Sequence, residues 1–600
     1  MIKLSDYITK RLVEFGIKDV FMISGGGAMH LVDSIGRQKG LRYICNHHEQ
    51  ACAIAAEGYF RASNKMAAVV VTSGPGGTNC LTGVIGQWLD SIPVIYISGQ
   101  VKQETTIESC RELGLRQLGD QEINIVDIVR PVIKYAAIIS KPGDVRFHLE
   151  KAFFMAMSGR PGPVWLEVPL NIQSAMVHER ELEGYVDAVN STKLTVSEKD
   201  ISFVVKKLNF AQRPLIVAGH GIKLAGAVYA FNKLIKKLKV PVVTTFNGFD
   251  IMASDDPLFI GRIGTLGTRA GNFALQNADV VLEIGTRNNI RQISYNWDSF
   301  AKEAFKVIVD VDAAELQKPT VKPDMAVNCD AAVFIHELQR GFNALAVIDR
   351  QKWLRWCIKR KLNYDVVLPD YAKVKKFIQP YYFARTLTRI LDRDDVVVAG
   401  NGTACITLFQ AGIVKKGQKI FWNSGCASMG YDLPAAIGAC FSGKGKRVIC
   451  LAGDGSLQMN IQEFQTIVHH KLPLKLFVLN NQGYVSIQQT QDAFFDGNRV
   501  ACCPKTGVSF PDIVAVAKAY GLRALRLHSH KGLERTITMF LAEKGPGVCE
   551  IVLTPGYIFS PKTSSKKLSD GRIVSSSLDD MYPFLERKEF LSNKIQGNIG

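Results

Sequence analysis

Short runs of consecutive apolar residues alternate along this chain with stretches whose apolar positions recur every three to four residues. That alternation reads as strands followed by helices. In a first block, about Tyr7 to Ile172, the runs Val20–Ile23, Met66–Thr72 and Val94–Ser98 have this character, and the block closes with Gly159-Arg-Pro-Gly-Pro-Val-Trp-Leu-Glu-Val-Pro. Ser5 or Asp6 suits an N-cap before a first helix over Tyr7–Phe15. A polar linker over Gln173–Lys199 leads to a second block, about Asp200 to Asn343, with Pro214–Gly219, Val240–Val243, Val280–Gly285 and Val307–Asp312 as its strands. A helical connection over Val347–Pro380 precedes a third block, Tyr381 to about Thr554. There Val448–Leu451 and Leu474–Leu479 read as strands flanking a helix at Ile461–His470. Runs this apolar suit parallel strands buried on both faces, so the expected fold class is α/β, three doubly wound parallel-sheet domains. Their ranges are set at 1–175, 196–345 and 376–555, and 556–600, which lacks periodicity, is expected to form a tail or arm. Blocks one and three share a pattern without a sequence repeat strong enough to assert duplication.

Composition narrows the class. Six hundred residues exceed one core, and 47% apolar with 21% charged residues is ordinary for a globular protein. No run approaches the about 18 apolar residues of a membrane span, and no signal peptide is visible, so a cytoplasmic protein with no membrane partner is expected. The thirteen cysteines show no Cys-x-x-Cys pair, and Cys502-Cys503 has no partner at zinc spacing; reduced thiols are expected. The formal charge of +18 is spread over short groups such as Lys233-Leu-Ile-Lys-Lys with no nucleic-acid motif, which points to a solvated basic surface that steers anionic ligands.

The candidate chemistry centres on Leu451-Ala-Gly-Asp454-Gly-Ser and, one helix and one strand later, Leu479-Asn480-Asn481-Gln-Gly483. Both Asp454 and Asn481 then stand at carboxyl ends of parallel strands, where ligands of open α/β sheets collect. An Asp carboxylate, the Asn481 amide oxygen, the Gly483 carbonyl, two diphosphate oxygens and a water make the near-octahedral oxygen shell that Mg²⁺ requires. Gly-Asp-Gly alone is common turn punctuation; the Asn480-Asn481 pair sets it apart. In the same block Gly400-Asn401-Gly402-Thr403-Ala404 follows a strand and opens a helix, a geometry whose free N–H groups meet phosphate oxygens, and Gly455, Ser456 and Leu457 after Asp454 offer the same.

The Asp454/Asn481 spacing resembles the signature of thiamine diphosphate (ThDP) enzymes. Asn46-His-His-Glu49-Gln-Ala51 and Thr72-Ser-Gly-Pro75-Gly-Gly-Thr-Asn79 in block one, and Gly425-Cys-Ala427-Ser-Met429-Gly430 in block three, resemble the acetolactate synthase-like members in order, spacing and total length. The resemblance implies a pyrimidine-binding, a central and a diphosphate-binding domain. It makes Glu49 the catalytic acid that hydrogen-bonds N1′ of the pyrimidine, so that the cofactor's own 4′-imine takes the weakly acidic C2 proton of the thiazolium. It places Gly26 and Pro75 against the cofactor, makes Met429 the wedge between its two rings and has the Ala427 carbonyl hold the 4′-amino group. Glu57 lacks such support and reads as structural. In this family the residues equivalent to Glu49 and Asp454 meet across a subunit interface, which implies a homodimer or tetramer.

Reaction type is read from block one. The His pair of pyruvate decarboxylases is absent from Cys110–Glu122, where Gln121 matches the substrate-side Gln of acetolactate synthases. The resemblance thus implies decarboxylation of a 2-keto acid, pyruvate above all, and carboligation to a second carbonyl compound. A simple decarboxylase or a flavin-dependent pyruvate oxidase stays open. Three positions depart from the family: Asp120 stands for the usual Phe, Leu170 for a Lys and Thr490 for a Trp. Loss of a cation and two aromatics points to a larger, more polar acceptor such as a keto-sugar, which the tail Lys567-Leu-Ser-Asp-Gly-Arg also suggests by likeness to family members of surface-polysaccharide pathways. Gly264-Thr-Leu-Gly267-Thr-Arg269, Gly285-Thr-Arg287-Asn-Asn and Asp310-Val-Asp312 are similar to FAD-binding positions, so FAD is a candidate second cofactor. A non-catalytic scaffold would need none of Glu49, Asp454 and Asn481. A Rossmann-type binder would need a Gly-x-Gly-x-x-Gly that Ser24-Gly-Gly-Gly-Ala does not supply.

Overall fold

A computed structural model gives the architecture and describes residues 1–187, 194–342, 349–443, 445–567, 570 and 572–595. Part of the linker over 173–199, the end of the second block at Asn343 and the start of the helical connection at Val347 fall outside the described residues. Three six-stranded sheets, all parallel, account for eighteen strands. The first holds β1 (Asp19–Met22), β2 (Arg42–Cys45), β3 (Ala68–Val71), β4 (Ile95–Gln100), β5 (Tyr135–Ile138) and β6 (Val164–Pro169) in the order β2-β1-β3-β4-β6-β5. The second holds β7 (Pro214–Ala218), β8 (Val242–Thr244), β9 (Phe259–Arg262), β10 (Val280–Ile284), β11 (Phe305–Asp310) and β12 (Met325–Asn328), ordered β9-β8-β7-β10-β11-β12. The third holds β13 (Val396–Ala399), β14 (Lys419–Phe421), β15 (Val448–Gly453), β16 (Leu474–Asn480), β17 (Arg523–Leu527) and β18 (Gly547–Val552), ordered β14-β13-β15-β16-β18-β17. Blocks one and three therefore repeat one topology.

Val69, Ile216 and Val397, at the centres of the three sheets, are fully buried. Helices cover both faces of each sheet, which is why the strands read as unbroken apolar runs rather than as alternation. The order in which strands are added reverses between β1 and β3, between β7 and β10, and between β13 and β15. Each reversal opens a crevice at the strands' carboxyl ends.

One local expectation is revised. The first helix starts at Leu4 and runs to Glu14, ahead of the expected cap at Ser5 or Asp6. Ile2–Lys3 pairs antiparallel with Met176–Val177, and the Leu4 N–H donates to the Ala175 carbonyl at 2.8 Å. A partner far away in sequence sets that helix start, and Ser5 is buried beneath Ser34, whose hydroxyl donates to it at 2.9 Å. The C-terminal segment is an ordered arm: Lys562–Thr563 pairs with Met581–Tyr582, Ser565–Lys567 with Ile573–Ser575, and a helix spans Arg587–Ser592. It is fastened to the central block through its main chain, with Asn272 Nδ2 donating to the Leu578 carbonyl (2.8 Å) and Asn277 Nδ2 to that of Asn593 (3.0 Å). Main-chain anchoring needs no apolar stripe, so the arm left no periodic trace. Among the described residues no helix is long and apolar enough to cross a membrane, and all thirteen cysteines are free thiols.

Blocks one and three of the chain meet where helix α1 (Glu49–Ser63) crosses helix α3 (Asp432–Ser442), with α2 (Thr403–Ala411) opening after β13. The crossing is backbone on backbone. A Cβ at Gly58 would lie 2.1 Å from the Ala435 carbonyl oxygen, and one at Gly438 would lie 1.8 Å from that of Ala55. Beside it Arg61 bonds Glu57 (2.8 Å) and Asp90 (2.7 Å), all three buried, and Asn423 Nδ2 donates to Glu57 at 3.1 Å. Burial raises the Glu57 carboxyl, and Arg61 opposes the rise. Glu57 is thus a member of a buried inter-block ionic cluster.

Candidate active site

The crevice between β13 and β15 gathers most of the predicted cofactor residues. Gly400, Asn401 and Gly402 leave β13, and Gly402 turns the chain into α2 at φ +66°, a value that favours glycine. Asp454 follows β15 as the first residue of the short helix α4 (Asp454–Gln458), and Asn481 follows β16. Asp454 is 3% exposed. Its Oδ1 accepts from the Gly455 N–H (2.8 Å), and its Oδ2 from those of Asn481 (2.9 Å) and Gly483 (3.3 Å). Burial pushes its carboxyl up to about 6, against those N–H bonds. Among the described residues it has no ion-pair partner. A buried carboxylate without a counter-charge among those residues, bonded to the main chain of an Asn whose side chain offers an amide oxygen, fits the hard-oxygen preference of Mg²⁺.

The loop after β16 is braced from outside. Gly483 stands at φ +146°, and a Cβ there would meet the Cys502 carbonyl oxygen at 2.3 Å. That carbonyl accepts from the Tyr484 N–H (2.8 Å) and Gln488 Nε2 (3.1 Å), at the start of helix α5 (Val485–Phe494). On the opposite wall Asn401 Nδ2 donates to the Ala427 carbonyl at 2.6 Å, and Ala427 is held at φ +54°. A carbonyl with one lone pair engaged keeps the other for a second donor. Ser456 Oγ accepts from the Gly430 N–H (2.8 Å) and donates to Asp432 (2.5 Å), so its hydroxyl is structural and only its main chain is free for a diphosphate. Leu457 is wholly buried, and Met429 is half-buried between Ala427 and Gly430.

Block one brings its own residues together at the β1/β3 crevice. His48 caps α1, its Nδ1 accepting from the Gln50 N–H, and this places Glu49 in the first turn. Asn79 Nδ2 donates to Glu49 Oε2 at 2.9 Å. Asn79 ends the helical turn Pro75–Thr78, and Thr72 before it accepts from the Gly27 N–H at 3.1 Å, which brings the Gly26 turn alongside. Gln121, exposed and at φ +57°, lies with its carbonyl 2.3 Å from where a Gly74 Cβ would be. Buried Glu122 accepts from the main-chain N–H groups of Ile107, Leu118 and Gly119 and so fixes that segment. Asp120 and Thr490 are exposed, and Leu170 is half-buried.

Residues flanking Glu49 are tied to block three of the same chain. Glu463 accepts from Asn46 Nδ2 and from the His47 N–H, both at 2.8 Å, and Asn460 Nδ2 donates to Gln50 Oε1 at 3.0 Å. The Glu49 carboxylate itself is only partly buried and bonds Asn79 within block one. Sequence reading missed Asn79 as its partner, although the residue closes a quoted motif. It also missed Glu463 and Tyr557, for which no local pattern exists.

In the central block, the β7/β10 crevice encloses about 200 Å³ lined by His220, Gly285, Arg287, Arg291 and Asp310, with Arg160 reaching in from block one. Burial there lowers the basicity of His220 far below that of a free imidazole. Gly285-Thr-Arg287 and Asp310 line this one space, and Asp312 pairs with Arg160 at 3.0 Å. Gly264 and Gly267 do not line this space. Arg269 is turned away, donating to the arm's Met581 carbonyl at 3.2 Å.

Three family models match in order: the N-terminal TPP binding domain of thiamine pyrophosphate enzymes over residues 2–126, the central domain over 201–338, and the C-terminal TPP binding domain over 400–551. The acetolactate synthase large subunit of Cyanidium caldarium is 30% identical over 90% of this chain and 92% of its own length. That of Lactococcus lactis subsp. lactis (strain IL1403) is 29% identical over 92% of both. The probable acetolactate synthase large subunit of Methanocaldococcus jannaschii is 30% identical, again over 92% of both. With its three blocks matched in order by those domains and nine-tenths of its length by these relatives, the chain belongs to the thiamine pyrophosphate enzymes, in their acetolactate synthase-like branch.

Proposed function

We propose that this protein binds ThDP and Mg²⁺, decarboxylates a 2-keto acid, pyruvate first, and joins the remaining two-carbon unit to a second carbonyl compound. The observation that carries the reading is Asp454, a buried carboxylate at the β13/β15 crevice with no counter-charge among the described residues and with the Asn481 main chain bonded to it. Asp454, Asn481 and the Gly483 carbonyl would hold the metal. Main-chain N–H groups of Asn401, Gly402, Thr403, Gly455, Ser456 and Leu457 would receive the diphosphate. When bound, the thiazolium supplies the carbon nucleophile. Glu49, steadied by Asn79, holds the proton shared with the pyrimidine N1′, while the Ala427 carbonyl orients the 4′-amino group and Met429 sets the bend between the rings. Gly26, Pro75 and Gln121 form the block-one wall, Gln121 toward the substrate. A second copy of the chain would bring its Glu49 to this chain's Asp454, as in the family, giving a dimer or tetramer whose single chain is inactive.

The acceptor follows from the three departures. A Leu at 170 removes a cation, and Asp120 and Thr490 replace aromatics with exposed polar groups; a keto-sugar fits that side better than a second pyruvate. Product analysis tests it. With pyruvate alone the expected outcome is little acetolactate, and adding a keto-sugar yields a branched adduct. Acetolactate formed from pyruvate alone at an ordinary enzymatic rate sinks the acceptor assignment, and acetaldehyde or acetate as main product points to the decarboxylase or oxidase reading.

FAD is the proposed occupant of the central crevice. Arg287 and Arg291 in its lining suit the diphosphate of a dinucleotide. The gently purified protein is expected to be yellow, and a colourless preparation that stays so after incubation with FAD counts against the assignment.

A further inference from the structure

The arm that follows β18 returns across the diphosphate crevice, and Tyr557 touches two of the residues assigned to the cofactor. Its hydroxyl donates to Asn481 Oδ1 at 2.9 Å, Asn481 Nδ2 donates to Thr403 Oγ1 at 3.2 Å, and the Thr403 and Tyr557 hydroxyls bond each other. These three groups close a ring in which each donates once and accepts once. A phenol is a stronger donor and weaker acceptor than an alcohol, so its proton goes to the amide oxygen and the amide N–H to the threonine. One lone pair of Oδ1 is engaged in this way, and the other is left for a metal.

The phenol is held independently of the crevice. Gln489 Nε2 on α5 donates to the Tyr557 carbonyl (3.2 Å), the Phe559 N–H donates back to Gln489 Oε1 (3.3 Å), and the Ser560 N–H donates to Tyr381 Oη (2.9 Å). The ring also packs edge-on against Phe559, with centroids 5.8 Å apart. A group fixed by its own segment and pointed at a ligand's carboxamide sets that ligand's orientation.

We propose that Tyr557 is a positioning residue of the metal site: its hydroxyl fixes which end of the Asn481 carboxamide is oxygen and aims it, so the C-terminal arm completes the Mg²⁺–ThDP site. This rests on the reading of Asn481 as a metal ligand given above. Outer-shell partners of ligands typically account for about 10–100-fold in metal affinity.

The test uses the full-length protein without substrate, following Mg²⁺-dependent ThDP uptake by calorimetry and intrinsic tryptophan fluorescence. Tyr557→Phe, which keeps the ring and its packing, is expected to weaken apparent Mg²⁺ affinity by about 10–100-fold. In an Asn481→Asp background both ends of the side chain are oxygen and no orientation is needed, so adding Tyr557→Phe there is expected to change affinity within about 2-fold. Unchanged or tighter Mg²⁺ binding in the single variant overturns the inference. So does an equal loss in both backgrounds, which assigns Tyr557 to packing alone. Asn481→Ala separates the levels: if it retains Mg²⁺ affinity, the metal reading itself falls, whereas a loss there beside a silent Tyr557→Phe removes only the role of the tyrosine.

Discussion

Glu49→Gln is expected to lower turnover by on the order of 10²–10⁴-fold, the range for removing a group that holds or moves a proton in the rate-limiting step. Cofactor affinity stays within a few-fold. The amide oxygen of a glutamine still accepts from Asn79 Nδ2, so the 2.9 Å contact survives and α1 keeps its first turn. What is lost is the acidic proton at the pyrimidine. Steady-state decarboxylation of pyruvate gives kcat, and calorimetry with ThDP and Mg²⁺ gives affinity. Equal turnover in the variant removes Glu49 from the chemistry. A comparable loss of affinity reassigns it to cofactor docking.

Asp454→Asn separates stability from function in the opposite sense. With its carboxyl pushed up to about 6 by burial, from an ordinary 3.8, Asp454 resists ionisation in the folded protein. At ~1.4 kcal/mol per unit, holding it charged at neutral pH costs on the order of 3 kcal/mol. The sign follows: a raised carboxylate disfavours the native state as pH climbs past its unfolded value. An amide relieves that cost, but it offers one acceptor oxygen where the carboxylate's two oxygens accept from the Gly455, Asn481 and Gly483 N–H groups, and its NH₂ meets a donor. The two effects oppose each other, so the cofactor-free variant is expected to melt close to the wild type, while Mg²⁺-dependent ThDP uptake falls by about 10³-fold or more, as expected for losing a charged, buried contact. Differential scanning fluorimetry with and without Mg²⁺–ThDP reads both, because ligand stabilisation scales with affinity. A variant that still gains the wild-type shift on adding metal and cofactor overturns the ligand assignment.

The parts legible from sequence were those governed by local rules. Parallel strands such as Val448–Gly453 and Leu474–Asn480 announce themselves because both faces are buried, and Asp454 and Asn481 follow their ends by topology. Long-range pairing was not legible. The Ile2–Lys3 strand depends on Met176–Val177, and no cap residue near Leu4 signals it. The arm, bonded through main-chain carbonyls to Asn272 and Asn277, carries little side-chain pattern, so Tyr557 beside Asn481 was invisible. Likewise Glu57, readable only as structural, takes its buried partner Asn423 from a distant segment and shares Arg61 with the equally distant Asp90. In the central block Arg269 belongs to a stretch that resembles a flavin motif, yet its guanidinium is spent on the arm.

At the crossing of α1 and α3, Gly58 and Gly438 let one main chain rest on the other. Contact that close leaves the helices little room to slide, so it ties the two blocks of one chain together. Any change in the room left for an acceptor therefore falls to the exposed strip carrying Asp120 and Gln121. Drift in that strip can retune which acceptor fits while the diphosphate crevice, braced by the arm, stays fixed.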